Sequence, residues 1–231
     1  MKRNKSEIVT RQLLTTAAEL HVREAGEGEA PSRTITGYAI LFNVPSRPLW
    51  DDEDEDAREV IAPEAITREV LDACDIKFTM FHDRQLILAR SNQGAGTLSY
   101  DVDEKGVSFS FEAPNTVDGD KALELVRRGD LAGCSFMFST HYWDEGFVSR
   151  TVEIEDGKAH ITYTVRAVTG IYDFTLAADP AYPDTSVEAR EFARDLREAA
   201  KPETPAHTPN PEIVKAQLRE MRNAANTKVI V

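Results

Sequence analysis

Two polar residues stand out by their setting. His82 follows the largely apolar run Ile76-Lys77-Phe78-Thr79-Met80-Phe81 and precedes Asp83, and Ser135 lies between Cys134 and Phe136 in an otherwise apolar stretch. A hydroxyl and an imidazole, with a carboxylate to hold the imidazole tautomer, perform nucleophilic acyl transfer. The imidazole takes the hydroxyl proton while the oxygen attacks a carbonyl. The chain holds candidates for each role, but neither spacing nor periodicity joins them, and a backbone-bonded histidine and a strand-filling serine explain the same pattern. Cys134 is a second candidate nucleophile, because a thiol beside a histidine also attacks carbonyls. Neighbouring strand residues point to opposite faces, so Cys134 and Ser135 cannot both face His82.

Other chemistries find less support. The five histidines, His21, His82, His141, His160 and His207, lack metal-ligand spacing, and there is no Gly-rich phosphate loop or paired CxxC, so neither a metal nor a cofactor is expected. Gly133-Cys134-Ser135-Phe136-Met137 begins like a nucleophile elbow but lacks its closing glycine and strand–helix alternation. A formal charge of −13 and a pI near 4.9 disfavour direct binding to nucleic acid. Two cysteines are too few for a disulfide framework, and no stretch reads as a signal peptide or membrane span. The expectation is a soluble protein of a reducing cytoplasm with no membrane partner.

The elements that must carry these residues are mostly strands. With 231 residues and 41% hydrophobic content the chain can build a substantial core. Ser6 to Leu20 reads as a short helix, and residues 1–32 as a loosely attached lead-in ending in the loop 24–31. Arg33 to Phe42 is a strand, ended by Pro45 and Pro48. The acidic run Asp51 to Asp56 is expected to be a solvated loop, and Pro63 to Cys74 a short amphipathic helix. Ile76 to Phe81 then reads as a strand delivering His82 to its end, where reactive groups are commonly exposed. Leu86 to Arg90, Thr97 to Val102 and Val107 to Glu112 form a meander. A helix capped by Asp118 runs to Gly129. Cys134 to Tyr142, Phe147 to Ile154, Ala159 to Val168 and Ile171 to Ala177 complete about eight strands. Ser186 to Ala200 is a charged helix, Lys201 to Pro211 a proline-rich linker, and 212–231 a weakly amphipathic tail.

Five separated blocks in order resemble the tailed-phage prohead protease family. They are Gly37-Tyr38-Ala39-Ile40-Leu41-Phe42-Asn43, Ile61-Ala62-Pro63-Glu64-Ala65, Phe81-His82-Asp83, Gly133-Cys134-Ser135-Phe136, and Tyr172-Asp173-Phe174-Thr175 with Pro180-Ala181-Tyr182. The resemblance spans roughly Arg33 to Arg190. It implies a mainly β fold with flanking helices, an antiparallel β-barrel of the herpesvirus-protease type, over a protease domain at 33–200 with a tail at 201–231. It implies His82 and Ser135 as catalytic residues and Asp173 as the group orienting His82. A second histidine is the third member in the herpesvirus relatives, which keeps His141 and His160 as alternatives. Backbone N–H groups are the default oxyanion donors, with Arg166 as a further candidate. The chain departs from the family pattern at Met137, Glu64 and Ala89, where glycine is usual. Met137 would narrow the approach to Ser135.

The activity so implied is a serine endopeptidase that processes capsid and scaffold proteins, and itself, inside the assembling procapsid in the host cytoplasm. The implied partners are the major capsid protein and scaffolding region, with the portal and a homo-oligomer as further candidates. The alternative is an inactive scaffolding component with the same fold.

Overall fold

The structure is a computed structural model, and it describes residues 8–15, 18–28, 30–178 and 194–198. The chain divides into two units, Met1–Ser186 and Val187–Val231. In the second, residues 194–198 are helical. The expected linker at 201–211 and the tail at 212–231 lie outside the described residues, as does most of the expected helix at 186–200.

The first unit opens with strands β1 (Val9–Thr15), β2 (His21–Val22) and β3 (Thr34–Leu41). A hairpin of β4 (Trp50–Asp51) and β5 (Glu55–Ile61) follows, then a 3-10 turn at Pro63–Ala65 and helix α1 (Arg68–Asp72). Next come β6 (Asp75–Met80), β7 (Asp83–Asn92), β8 (Ala95–Gly96), β9 (Leu98–Val102) and β10 (Gly106–Glu112). Helix α2 (Val117–Arg128) leads into β11 (Gly133–Thr140), β12 (Val148–Glu155), β13 (Lys158–Val165) and β14 (Gly170–Ala177).

The described strands pair into three open sheets, ordered β1-β11-β14-β6-β7-β8, β2-β3-β10-β9 and β12-β13-β5-β4. The fold is therefore mainly β with few helices, and hydrogen bonds among these strands do not close a barrel. Nor is the pairing wholly antiparallel, since β14 runs parallel to β6 and β13 parallel to β5. Each of those parallel pairs is separated in sequence by enough chain for the crossover that parallel strands require.

The core lies between the six-stranded sheet and the β3–β10 sheet. The Phe78 ring sits 4.5 Å from both Phe109 and Phe111 and 6.4 Å from Phe174. Alternation explains which residues take part: Ile76, Phe78 and Met80 of β6 are fully buried on the face toward β10, and Lys77 and Thr79 point the other way. On β11, Cys134, Phe136 and Phe138 share that inner face, leaving Ser135, Met137 and Ser139 on the outer one.

Three local expectations need correction. Residues 9–15 are strand, not helix, and pair one-to-one with β11 from Val9↔Thr140 to Thr15↔Cys134. Val9, Thr10 and Thr15 weaken a helix, and a whole strand edge to pair with outweighs the marginal stability of a short helix. With β2 also paired to β3, residues 9–15 and 21–22 of this lead-in are built into the sheets, while 23–28 and 30–32 are loop.

The acidic run forms a hairpin whose tip is solvated as expected, with Glu53 and Asp54 exposed, but whose end at Asp56 is buried strand. Asp52 Oδ1 accepts from the backbone N–H of Asp54 and of Glu55, which turns the chain at its tip. Asp56 is buried, accepting from His160 Nδ1 at 2.7 Å with Lys158 Nζ 3.7 Å away. Lys158 of β13, 2.6 Å from Asp51 and 3.7 Å from Asp56, thus stands between two of the like charges. Finally, α2 is capped by Thr116, whose hydroxyl accepts from Gly119 N–H, and Asp118 stands inside the first turn instead. Gly129 ends the helix as expected, in the left-handed conformation at φ 77°.

Candidate active site

Two strands, β11 and β14, and the β6–β7 turn bring together residues separated by up to 91 positions. His82 Nδ1 lies 2.8 Å from Asp173 Oδ1, and its Nε2 lies 2.9 Å from Ser135 Oγ. A carboxylate only accepts, so Nδ1 carries the proton and donates it, and the neutral ring then turns an accepting Nε2 toward the Ser135 hydroxyl. Asp173 is nearly fully buried and Ser135 is 7% exposed.

Register explains why Ser135 and Asp173 share a face. Ser135 pairs with Thr175, and Met137 with Asp173, while the parallel neighbour β6 sets Thr79 beside Thr175 and Lys77 beside Asp173. Opposed residues in a sheet project to the same side. The pairing then skips Tyr172, because Phe138 faces Ile171. This bulge in β14 lets Tyr172 and Asp173 project from one side: the Tyr172 hydroxyl meets Ser139 Oγ at 2.8 Å, and Asp173 reaches His82.

His82 arrives through a strained turn. Met80 pairs with Asp83, and the two residues between, Phe81 and His82, have φ of 58° and 57°. This is a two-residue turn of type I′, in which both central residues must be left-handed. Neither is glycine, and such conformations cost on the order of 1 kcal/mol or more per residue. Neighbouring β14 holds the turn: Phe81 N–H donates to Leu176 O at 3.2 Å and His82 N–H to Thr175 Oγ1 at 2.9 Å.

Cys134 stands on the inner face, fully buried, and burial pushes its thiol up to about 12. It is a protonated core side chain at neutral pH. The alternative third members lie elsewhere: His160 is bonded to Asp56, and the His141 ring packs edge-on against Phe147 with centroids 4.7 Å apart. Arg166 is not brought to Ser135. Its Nε donates to Ser149 Oγ at 3.1 Å and its Nη1 lies 3.9 Å from Glu64. The β14 end it precedes pairs at Ser139, four residues and about 13 Å along β11 from Ser135. Met137 is half-buried opposite Asp173.

Among the described residues no group of three or more His, Cys, Asp or Glu could hold a metal, and no helix is long and apolar enough to cross a membrane.

Thr79 and Thr175 escape a reading of the sequence for reactive groups. The only signal is that each places a hydroxyl in an otherwise apolar strand beside a candidate site residue.

A hydroxyl, an imidazole and a buried carboxylate in series on a mainly β domain define the arrangement of a serine-type hydrolase. The sequence matches the family described as caudovirus prohead serine protease over residues 18–200, and the chain belongs to that family. Among solved structures, that of the bacteriophage T4 capsid assembly protease, gp21, is similar at 12% identity. It covers 74% of this chain and 98% of its own, with a TM-score of 0.39. No match was found among curated proteins.

Proposed function

We propose that this chain is the serine endopeptidase that matures its phage procapsid, cleaving the major capsid protein, the scaffolding region and itself within the assembling shell in the host cytoplasm. The observation that carries this reading is the His82 imidazole held between the Ser135 hydroxyl and the Asp173 carboxylate. His82 Nε2 takes the Ser135 proton as Oγ bonds to the peptide carbonyl carbon, and the same proton passes to the leaving amine as the C–N bond breaks. Water then repeats the sequence on the acyl-enzyme. Asp173 holds the tautomer and stabilises the imidazolium without taking its proton. Backbone N–H groups serve the oxyanion, and Arg166 drops out because its guanidinium is engaged with Ser149 and Glu64.

In this reading residues 33–200 form the protease domain, 1–32 enter it through two sheet strands, and 201–231 are a tail. The six-stranded sheet and the β2-β3-β10-β9 sheet pack through β11 against β3 and β7 against β9, and in this reading they correspond to the walls of the herpesvirus-type barrel, left open here. The portal and a second copy of the chain are further partners within the same shell.

Co-expression with capsid protein, read on a gel for capsid-protein size, tests the reading. Ser135→Ala should fold and process nothing, while Cys134→Ala should process normally. Loss confined to Cys134→Ala would move the nucleophile to the thiol. No processing by the unaltered chain would favour an inactive scaffolding component.

A further inference from the structure

His82 does not hold its place through its side chain alone. The turn that carries it is left-handed at two consecutive non-glycine residues, a conformation that the chain leaves unless something opposes it. Two bonds to β14 oppose it: Phe81 N–H donates to Leu176 O at 3.2 Å, and at His82 itself Thr175 Oγ1 accepts from the backbone N–H at 2.9 Å. The same oxygen accepts from the Thr79 hydroxyl at 2.9 Å, and both threonines are fully buried.

Thr175 is the register partner of Ser135 and lies two residues from Asp173 on the same face of β14. A single strand therefore carries the group that orients the imidazole and the group that anchors its backbone, directly beside the nucleophile. We propose that Thr175, oriented by Thr79, is a positioning residue of the catalytic centre: it sets the His82 backbone so that the two ring nitrogens reach Ser135 and Asp173 together. This rests on His82 acting as the base for Ser135.

The distances make the anchor necessary. Both imidazole contacts are within 2.9 Å, and the ring hangs from a two-residue turn whose relaxation would move both nitrogens at once. Without the hydroxyl the part-buried His82 N–H would also lose its acceptor there, which adds to the drive for the turn to rearrange.

An alkyl fluorophosphonate tests the proposal on the full-length chain without a known cleavage site. Ser135 Oγ bonds to phosphorus, the P–F bond breaks with loss of fluoride, and the hydroxyl proton passes to His82 Nε2. The rate constant for labelling reads how well His82 activates the serine. Thr175→Val keeps the shape and removes the acceptor, and it should label about 10- to 100-fold more slowly than the unaltered chain. Thr175→Ser should restore labelling to within about twofold, because the hydroxyl alone is needed. The downfield proton resonance of the His82 Nδ1–H bonded to Asp173 should shift or broaden in Thr175→Val and return in Thr175→Ser. Thr79→Val, which leaves the acceptor in place but removes its partner, should give a smaller loss, and it carries the test if Thr175→Val does not fold. Labelling of Thr175→Val, or in its place Thr79→Val, at the unaltered rate while His82→Ala is unreactive would overturn the positioning role and leave the base intact. Labelling of His82→Ala at the unaltered rate would instead remove the base on which the proposal rests.

Discussion

Ser135 and Cys134 are adjacent in sequence yet live in different media. One hydroxyl meets an imidazole, and one thiol is held among core side chains with its titration pushed up to about 12, first by burial. At neutral pH the thiol has no thiolate to offer, so strand alternation and desolvation independently favour the proposed nucleophile, Ser135. The proton acceptor makes a second demand, this time on pH. A neutral imidazole takes the serine proton and an imidazolium cannot, so cleavage should rise with pH as imidazole deprotonates and then level off. A pH–rate profile of capsid-protein cleavage checks this. A rate independent of pH between about 5 and 8, across the ordinary histidine range, would exclude an imidazole base.

At the scale of elements, the β6–β7 hairpin is the piece that must be rigid, because its turn carries His82. Its base is tied by charge: Arg90 donates to both oxygens of Asp75, at 2.7 and 2.8 Å, and Lys77 Nζ adds a 2.7 Å contact. The Arg90 and Lys77 hydrogen bonds hold the Asp75 carboxyl well below the usual carboxylate range. A carboxylate whose folded value is depressed contributes stability that is present above its unfolded value, about 3.9, and is lost as pH falls below it. Asp75→Asn should therefore lower the melting temperature at pH 7, with a gap to the unaltered chain that narrows progressively below about pH 4. The effect should be modest, as for any partly exposed ion pair, and added salt should reduce it. Thermal melts of both proteins across that pH range check the prediction. A gap that stays constant into acid would show that Asp75 contributes through something other than its charge.

For the whole molecule, a protease enclosed with its substrates can be slow and still complete its work, since confinement raises local concentration. Under the proposed function the same confinement would set each copy of the enzyme beside others. The candidate segment is Lys201 to Pro211, with four prolines at 202, 205, 209 and 211. Self-cleavage is expected there. Intact-mass measurement after incubation should show loss of a C-terminal piece from the active chain and none from Ser135→Ala, and a mass that stays at full length in both would exclude it.

The sequence by itself determined most of the strands and the direction in which each of their side chains points. Alternating apolar runs bury one face whatever their neighbours, and this placed most of β3, β6, β10, β11 and β14 and set Ser135 opposite in direction to Cys134. Resemblance carried over family blocks singled out His82, Ser135 and Asp173, which spacing alone could not connect across as many as 91 positions. Tertiary structure decided everything that depends on which strand lies beside which. Residues 9–15 became a strand because β11 offered an edge, and Asp56 became buried because β13 supplied His160 and Lys158. Arg166, a candidate cation for the oxyanion, was instead engaged by Ser149 and Glu64, partners that only the folded chain supplies. The left-handed turn at Phe81 and His82, and the Thr175 hydroxyl that holds it, left no mark in local propensity. A two-residue turn without glycine is unfavourable on its own and is selected only by long-range bonds to a strand more than ninety residues away.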